Sequence, residues 1–127
     1  MSWKVTKNSE LSCIEMAYCG ETSGKDLRDC TSETIRLAKI ARFNKILSDL
    51  TEMVLTAKLS EIHDVSDKQF FEESVDPQGR QAMYYRESQA EEEMIEYFAS
   101  VARNRGWKVE IFTDRETAVK WLQSAKF

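Results

Sequence analysis

The sequence predicts an α/β fold: a mostly parallel central sheet of about five strands, opened by an N-terminal antiparallel hairpin and covered by about four helices. Three observations carry this. Two extended runs open the chain with only a polar turn between them. After them, segments of helical period alternate with short runs that suit a pleated surface. The changes of period are punctuated by glycines, one Pro–Gly turn and capping residues. Alternation of this kind forces parallel pairing through right-handed crossovers, and the leading hairpin supplies the antiparallel edge.

In order, Trp3 and Val5 alternate with Lys4 and Thr6, and a second run follows through Leu11, Cys13, Ile14, Met16 and Tyr18. The change of phase between Cys13 and Ile14 marks either a bulge or a shifted register. Gly20 ends the run, and Thr22 or Ser23 is placed to cap a helix in which Leu27, Cys30, Thr31, Thr34, Ile35, Ala38 and Ala41 share one side. FNKILSDL, residues 43–50, reads as a strand finishing on Asp49, with Met53, Val54 and Leu55 in the loop beyond it. Leu59, Ile62 and Val65 predict a helical stretch from Thr56 or Ala57, which Phe70 and Phe71 continue or restart.

DPQGR, residues 76–80, contains the only proline and is a turn; RQAMYYR is the next strand. AEEEM opens a helix whose apolar side is Met94, Ile95, Phe98, Val101 and Ala102, and Gly106 stops it. Trp107, Val109 and Ile111 alternate as the last strand. Thr113 and Glu116 have the spacing of a capping box, and Ala118, Val119, Trp121, Leu122 and Ala125 form the buried side of the final helix.

Composition narrows the function classes. A chain of 127 residues is the size of one domain, expected here over 1–127. No apolar run suits a transmembrane segment and the opening MSWKVTKNSEL has no secretory core, so a cytoplasmic location is expected. The net charge of −4 argues against affinity built on nucleic-acid phosphates. Lys39, Arg42 and Lys45 are the nearest approach to a basic patch, and cations there suit the negative end of a helix.

Cys13, Cys19 and Cys30 form no CxxC pair and His63 is the only histidine, so neither a metal site nor a cofactor is expected. GETSGKD ahead of the first helix matches no phosphate-loop spacing. Glu91, Glu92 and Glu93 point round a helix rather than at one another. Asp49 is placed as a site residue is, at the end of a strand in an α/β sheet where loops converge on a rim, a pattern also common as a turn or cap.

The ordering, the FNKILSDL strand and above all FASVARNRGWKVEIFTDRETAVKWL resemble the SpoIIAA-like branch of the STAS superfamily, the fold of bacterial anti-sigma factor antagonists. The matching positions are Ala102 to Gly106, Asp114, and Trp121 to Leu122. The resemblance implies a non-enzymatic domain that binds a partner protein or small ligand, and a phosphorylatable Ser at the start of the helix after the third strand. Laid on Asp49, Leu50 and Thr51, the family's switch motif puts that position on Lys58 or Leu59; only a shifted alignment brings Thr56 or Ser60 into place.

Three functional expectations follow. The first is a regulatory or protein-binding module whose contact surface includes Asp49, Thr51, Met53 and Lys58, with Thr56 and Ser60 as candidate phosphorylation or partner-contact residues. The second is a peripheral membrane or small apolar ligand binder, suggested by Met53–Leu55, Phe70 and Phe71 and by the resemblance. The third is a small α/β enzyme using Asp49 or Glu52 as acid or base, with a cysteine or His63 assisting.

Overall fold

The computed structural model describes residues 2–124; Ala125 of the expected final helix lies outside them. Five strands run in order along one sheet: β1 Trp3–Asn8, β2 Cys13–Thr22, β3 Lys45–Leu55, β4 Arg80–Tyr84 and β5 Lys108–Phe112. β1 is antiparallel to β2, and every other pair is parallel. The helices are α1 Gly24–Ala41, α2 Leu59–Asp64, α3 Phe70–Glu72, α4 Glu92–Asn104 and α5 Arg115–Gln123. A π-helical turn, Val65–Gln69, joins α2 to α3, so Phe70 continues the helical stretch instead of restarting it. The sheet is thus covered by four helical segments, as expected.

Local chemistry accounts for most boundaries. Ser23 caps α1: its hydroxyl accepts from the Asp26 N–H at 3.1 Å, and the Asp26 carboxylate accepts from the Ser23 N–H at 2.9 Å. At the end of α4 the Trp107 N–H reaches the Ala102 carbonyl and the Gly106 N–H that of Arg103, with Gly106 at φ 89°. This is the Schellman pattern, and the left-handed residue costs glycine nothing. The cap of α5 differs from expectation. Asp114, not Thr113, holds the helix start, because its carboxylate accepts both the Thr117 N–H at 2.8 Å and the Thr117 hydroxyl at 2.9 Å.

The sheet has two unlike faces. α1, α2 and α4 cover one, over Met16, Tyr18, Leu50, Met53, Met83 and Val109; α5 alone packs on the other, over Cys13, Leu47, Ala82 and Tyr84. β2 lies inside the sheet, so Cys13 and Ile14 are both fully buried. Their change of phase therefore reflects cover on two faces and not a bulge. The irregularity lies further on, where Ala17 pairs with Asp49 and Cys19 with Glu52, so that Tyr18 of β2 stands against Leu50 and Thr51 of β3.

The largest departure from expectation is the length of β3. It does not finish on Asp49 but continues six residues to Leu55. β4 accompanies it only from Lys45 to Asp49, so beyond that point the β4 side of β3 lacks a strand partner. Side chains from the turn before α4 take the strand's place. The Gln89 amide donates to the Leu50 carbonyl at 2.8 Å, the Arg86 Nε to the Thr51 carbonyl at 2.8 Å, and the Glu91 carboxylate accepts the Leu55 N–H at 3.3 Å. The Gln89 side chain is buried, so these bonds meet the requirement that buried backbone groups be paired.

Candidate functional site

The residues singled out in the sequence fall into separate places. Asp49 sits within β3 on the α5 side of the sheet, level with Tyr84 and Phe112, where β4 and β5 end but β3 continues. Its Oδ1 accepts the Thr51 N–H at 3.0 Å and the Thr51 hydroxyl at 2.6 Å, binding the backbone donor that the bulge frees. The Tyr84 hydroxyl, raised in pKa chiefly by burial, is a neighbour of the carboxylate. Thr51 also belongs to the bulge, its carbonyl occupied by Arg86. One oxygen of Asp49 is thus committed to Thr51, and Glu52, the other expected acid or base, stands apart on the exposed side of the strand.

Met53 and Leu55 lie in the strand instead of a loop, with their side chains turned into the interior, while Val54 between them is 50% exposed. Past the strand end the chain crosses to α2. The Thr56 N–H and hydroxyl both bond the Thr22 carbonyl, at 2.9 and 3.1 Å. Lys58 stands at the N-cap of α2, which begins at Leu59 and not at Thr56 or Ala57. Lysine offers no acceptor to the helix donors, and the Glu61 carboxylate accepts the Lys58 N–H at 2.8 Å. Lys58, Leu59 and Ser60 are all exposed, so the hydroxyl of Ser60 is open to solvent in the first turn of α2.

Of the other candidates, His63 faces Tyr97, and its Nδ1 lies 3.6 Å from Asp64 and 3.9 Å from Asp67. These three are the one group among the described residues whose ligand atoms come within reach of a common ion, but Asp67 is paired to Arg105 and Asp64 to Lys68. The cysteines are all free. Burial pushes the Cys13 and Cys30 thiols up to about 11, which suppresses the thiolate, and Cys19 alone is exposed. Phe70 is buried edge-on to Phe98 and Trp107, at 6.1 and 5.6 Å between ring centres, whereas Phe71 stays 79% exposed. No helix among the described residues is long and apolar enough to cross a membrane.

A feature not visible in the sequence is a cavity of about 470 Å³ between the sheet and the layer of α1, α2, α3 and α4. Met16, Tyr18, Leu50 and Met83 form its floor; Leu27, Ile35, Ile62 and Phe98 stand on its helical side. The volume falls within the roughly 300–1,000 Å³ typical of small-molecule sites, and the lining has their apolar character with a few polar groups. One is Ser48, 1% exposed, whose hydroxyl accepts from the Gln81 amide at 3.1 Å. Ser48 lies between Ile46 and Leu50, and Gln81 is two residues before Met83, so both are polar residues on an otherwise apolar strand face. That is the signal by which alternation analysis would have found them.

No protein-family model matches the chain, and neither does any curated protein. Solved structures do. The anti-sigma factor antagonist SpoIIAA in its unphosphorylated form is 13% identical with a TM-score of 0.57, covering 95% of this chain and 97% of that one. A DUF3478-family protein from Shewanella loihica with a SpoIIAA-like fold is 19% identical with a TM-score of 0.57, covering 94% and 91%. The hairpin, the parallel strands in sequence order and the helices between them thus form a SpoIIAA-like fold.

Proposed function

We propose that the chain is a non-catalytic STAS-like regulatory module that acts by binding a partner protein, through the end of β3 and the start of α2. The observation that supports this reading is the exposure of Val54 and Leu59, 50% and 51%, on the stretch that the resemblance assigns to contact. Apolar side chains held at the surface on a strand and a helix start are the anchors a partner can desolvate. Thr56, Lys58 and Ser60 surround them with polar groups. A phosphate on Ser60 would add close to two negative charges to that surface. SpoIIAA, as an anti-sigma factor antagonist, is a fold relative whose name implies a protein contact.

Affinity capture from the source cells tests this. The wild-type chain is expected to recover a partner that Val54→Asp/Leu59→Asp loses and that Phe71→Asp, on a separate exposed residue, retains. Ser60→Glu is expected to weaken capture. Repeated recovery of no partner, or of one indifferent to all four substitutions, defeats the reading.

A second reading, a small apolar ligand held inside the fold, is favoured by the cavity. Co-purified lipid analysed by mass spectrometry after denaturing extraction, together with thermal shifts on adding apolar probes, tests it. A clean extract and no shift with any probe count against it.

A further inference from the structure

The exposed and charged residues of the cavity gather at one end, while the polar groups deeper in, Tyr18, Thr31 and Thr34, are buried and neutral. Its exposed lining residues are Lys39, Arg42, Asn44, Ser74 and Asp76, all in the last turn of α1 and the turns that lead into β3 and β4. These place the mouth at the leading edge of the parallel strands. At the far end stand Leu27, Met53, Leu55, Ile62, Met94 and Ile95. From Ile46 at the mouth to Met53 is seven steps of about 3.3 Å, or about 23 Å. A cavity of about 470 Å³ reaching over that length has room for a single polymethylene chain.

Charge at the mouth is also directional. Asp76 is engaged by the Asn44 amide at 3.3 Å and the Gln78 N–H at 2.9 Å. The Lys39 ammonium gives one of its donors to the Glu73 carbonyl at 2.5 Å. No hydrogen bond or ion pair among the described residues engages the Arg42 guanidinium. Arg42 moreover occupies the left-handed position that ends α1, at φ 60°, where any residue with a Cβ costs roughly 1 kcal/mol relative to glycine. A cation for the helix dipole is already supplied by Lys39 in the last turn. Backbone preference thus argues for glycine or asparagine at residue 42, and the side chain present is an unpaired fork of donors at the rim of an apolar cavity.

We infer that the cavity takes a single-chain amphiphile with a carboxylate head, a fatty acid, its tail directed toward Met53 and its head held by Arg42 with Lys39. This rests on the ligand reading above and adds the class of ligand and its direction. Gln81 and Ser48 lie just inside the head position, where an amide and a hydroxyl meet the first polar atoms.

Isothermal titration below the micellar range, with dodecanoate and its methyl ester, tests the assignment on the full chain. The wild-type chain is expected to bind the acid at least tenfold more tightly than the ester. Arg42→Asn, which tolerates the left-handed backbone, is expected to bring the two to near parity, and Arg42→Lys to restore much of the preference. Circular dichroism checks that each variant folds. Equal affinity for acid and ester in the wild-type chain, or a preference that survives Arg42→Asn, overturns the head assignment while leaving an apolar ligand in place. Binding of neither probe overturns the ligand reading and this inference with it.

Discussion

Asp49 distinguishes a structural carboxylate from a chemical one, and replacing it with alanine or asparagine separates the two. In Asp49→Ala the Thr51 hydroxyl can turn to water, but the Thr51 N–H, freed from the ladder by the bulge, loses its acceptor. A hydrogen bond to a charged group contributes about 1.5–3 kcal/mol, and Thr51 is half-buried, so the expected loss is about 2 kcal/mol. For a chain of this size that is a fall of about 8 °C in Tm. Asp49→Asn keeps an oxygen in the same place and is expected to cost less than about 1 kcal/mol. Urea denaturation gives both values, and a Thr51→Val background shows the coupling, since only the hydroxyl bond is removed there. Equal destabilisation by Asn and Ala, or an Ala variant within about 0.5 kcal/mol of wild type, refutes the bulge account.

Gln89→Leu removes the buried amide that holds the Leu50 carbonyl and the Arg86 N–H, and is expected to cost about 2–3 kcal/mol in urea denaturation, with faster hydrogen exchange along 50–55. Gly79→Ala would put a Cβ 2.5 Å from the Asn44 carbonyl oxygen, a backbone atom in line with the β3–β4 pairing, and is expected to destabilise by about 1–3 kcal/mol in the same assay. With a thiol reagent at neutral pH, Cys19 is expected to react at once and Cys13 and Cys30 only on unfolding. Arg115, bonded to both oxygens of Glu15 at 2.7 and 3.1 Å, lowers the Glu15 carboxyl below the usual range. The stability this contributes is complete above the unfolded-state pKa of about 4.3 and is lost as pH falls through the lower folded value. Arg115→Met is therefore expected to cost up to about 1 kcal/mol near pH 6 and almost nothing near pH 2, measured as urea midpoints.

How far the sequence could be read depended on the range of the forces involved. The cap at Ser23 and the stop at Gly106 are settled within four residues, so inspection locates them. The end of β3 is not local. From Leu50 to Leu55 the strand is completed by Arg86, Gln89 and Glu91, some thirty-five residues away, and only two of its six residues are buried; nothing within the segment announces a strand. Cys13 and Ile14 misled for a related reason, because period-two reasoning assumes one buried face while β2 is covered on two. Thr113 gave way to Asp114 as the α5 cap within a single residue, which is the usual scatter of helix boundaries. The cavity was least legible of all. It consists of volume that side chains fail to fill, and only Ser48 and Gln81, polar on an apolar face, hint at it in the letters.

The misread segment of β3 is also where the two functional readings meet. Met53 and Leu55 line the cavity while Val54, between them, faces solvent; in α2, Ile62 lines it while Leu59 and Ser60 are exposed. Adjacent side chains on a strand point to opposite faces, so a change of shape that moves Met53 moves the backbone that presents Val54. Packed interiors respond to an occupant by shifting between discrete arrangements rather than deforming smoothly. An internal ligand that favours one arrangement must then change the affinity of an external partner, and the partner must change the ligand's affinity by the same factor. A ligand indifferent to the two arrangements would change nothing, however tightly held. Couplings between linked sites usually amount to about 1–3 kcal/mol, or roughly 5–150-fold in affinity. Partner affinity measured with and without saturating dodecanoate therefore decides whether this strand transmits between the sites: a shift of that size joins the two readings into one ligand-responsive module, and equal affinities separate them.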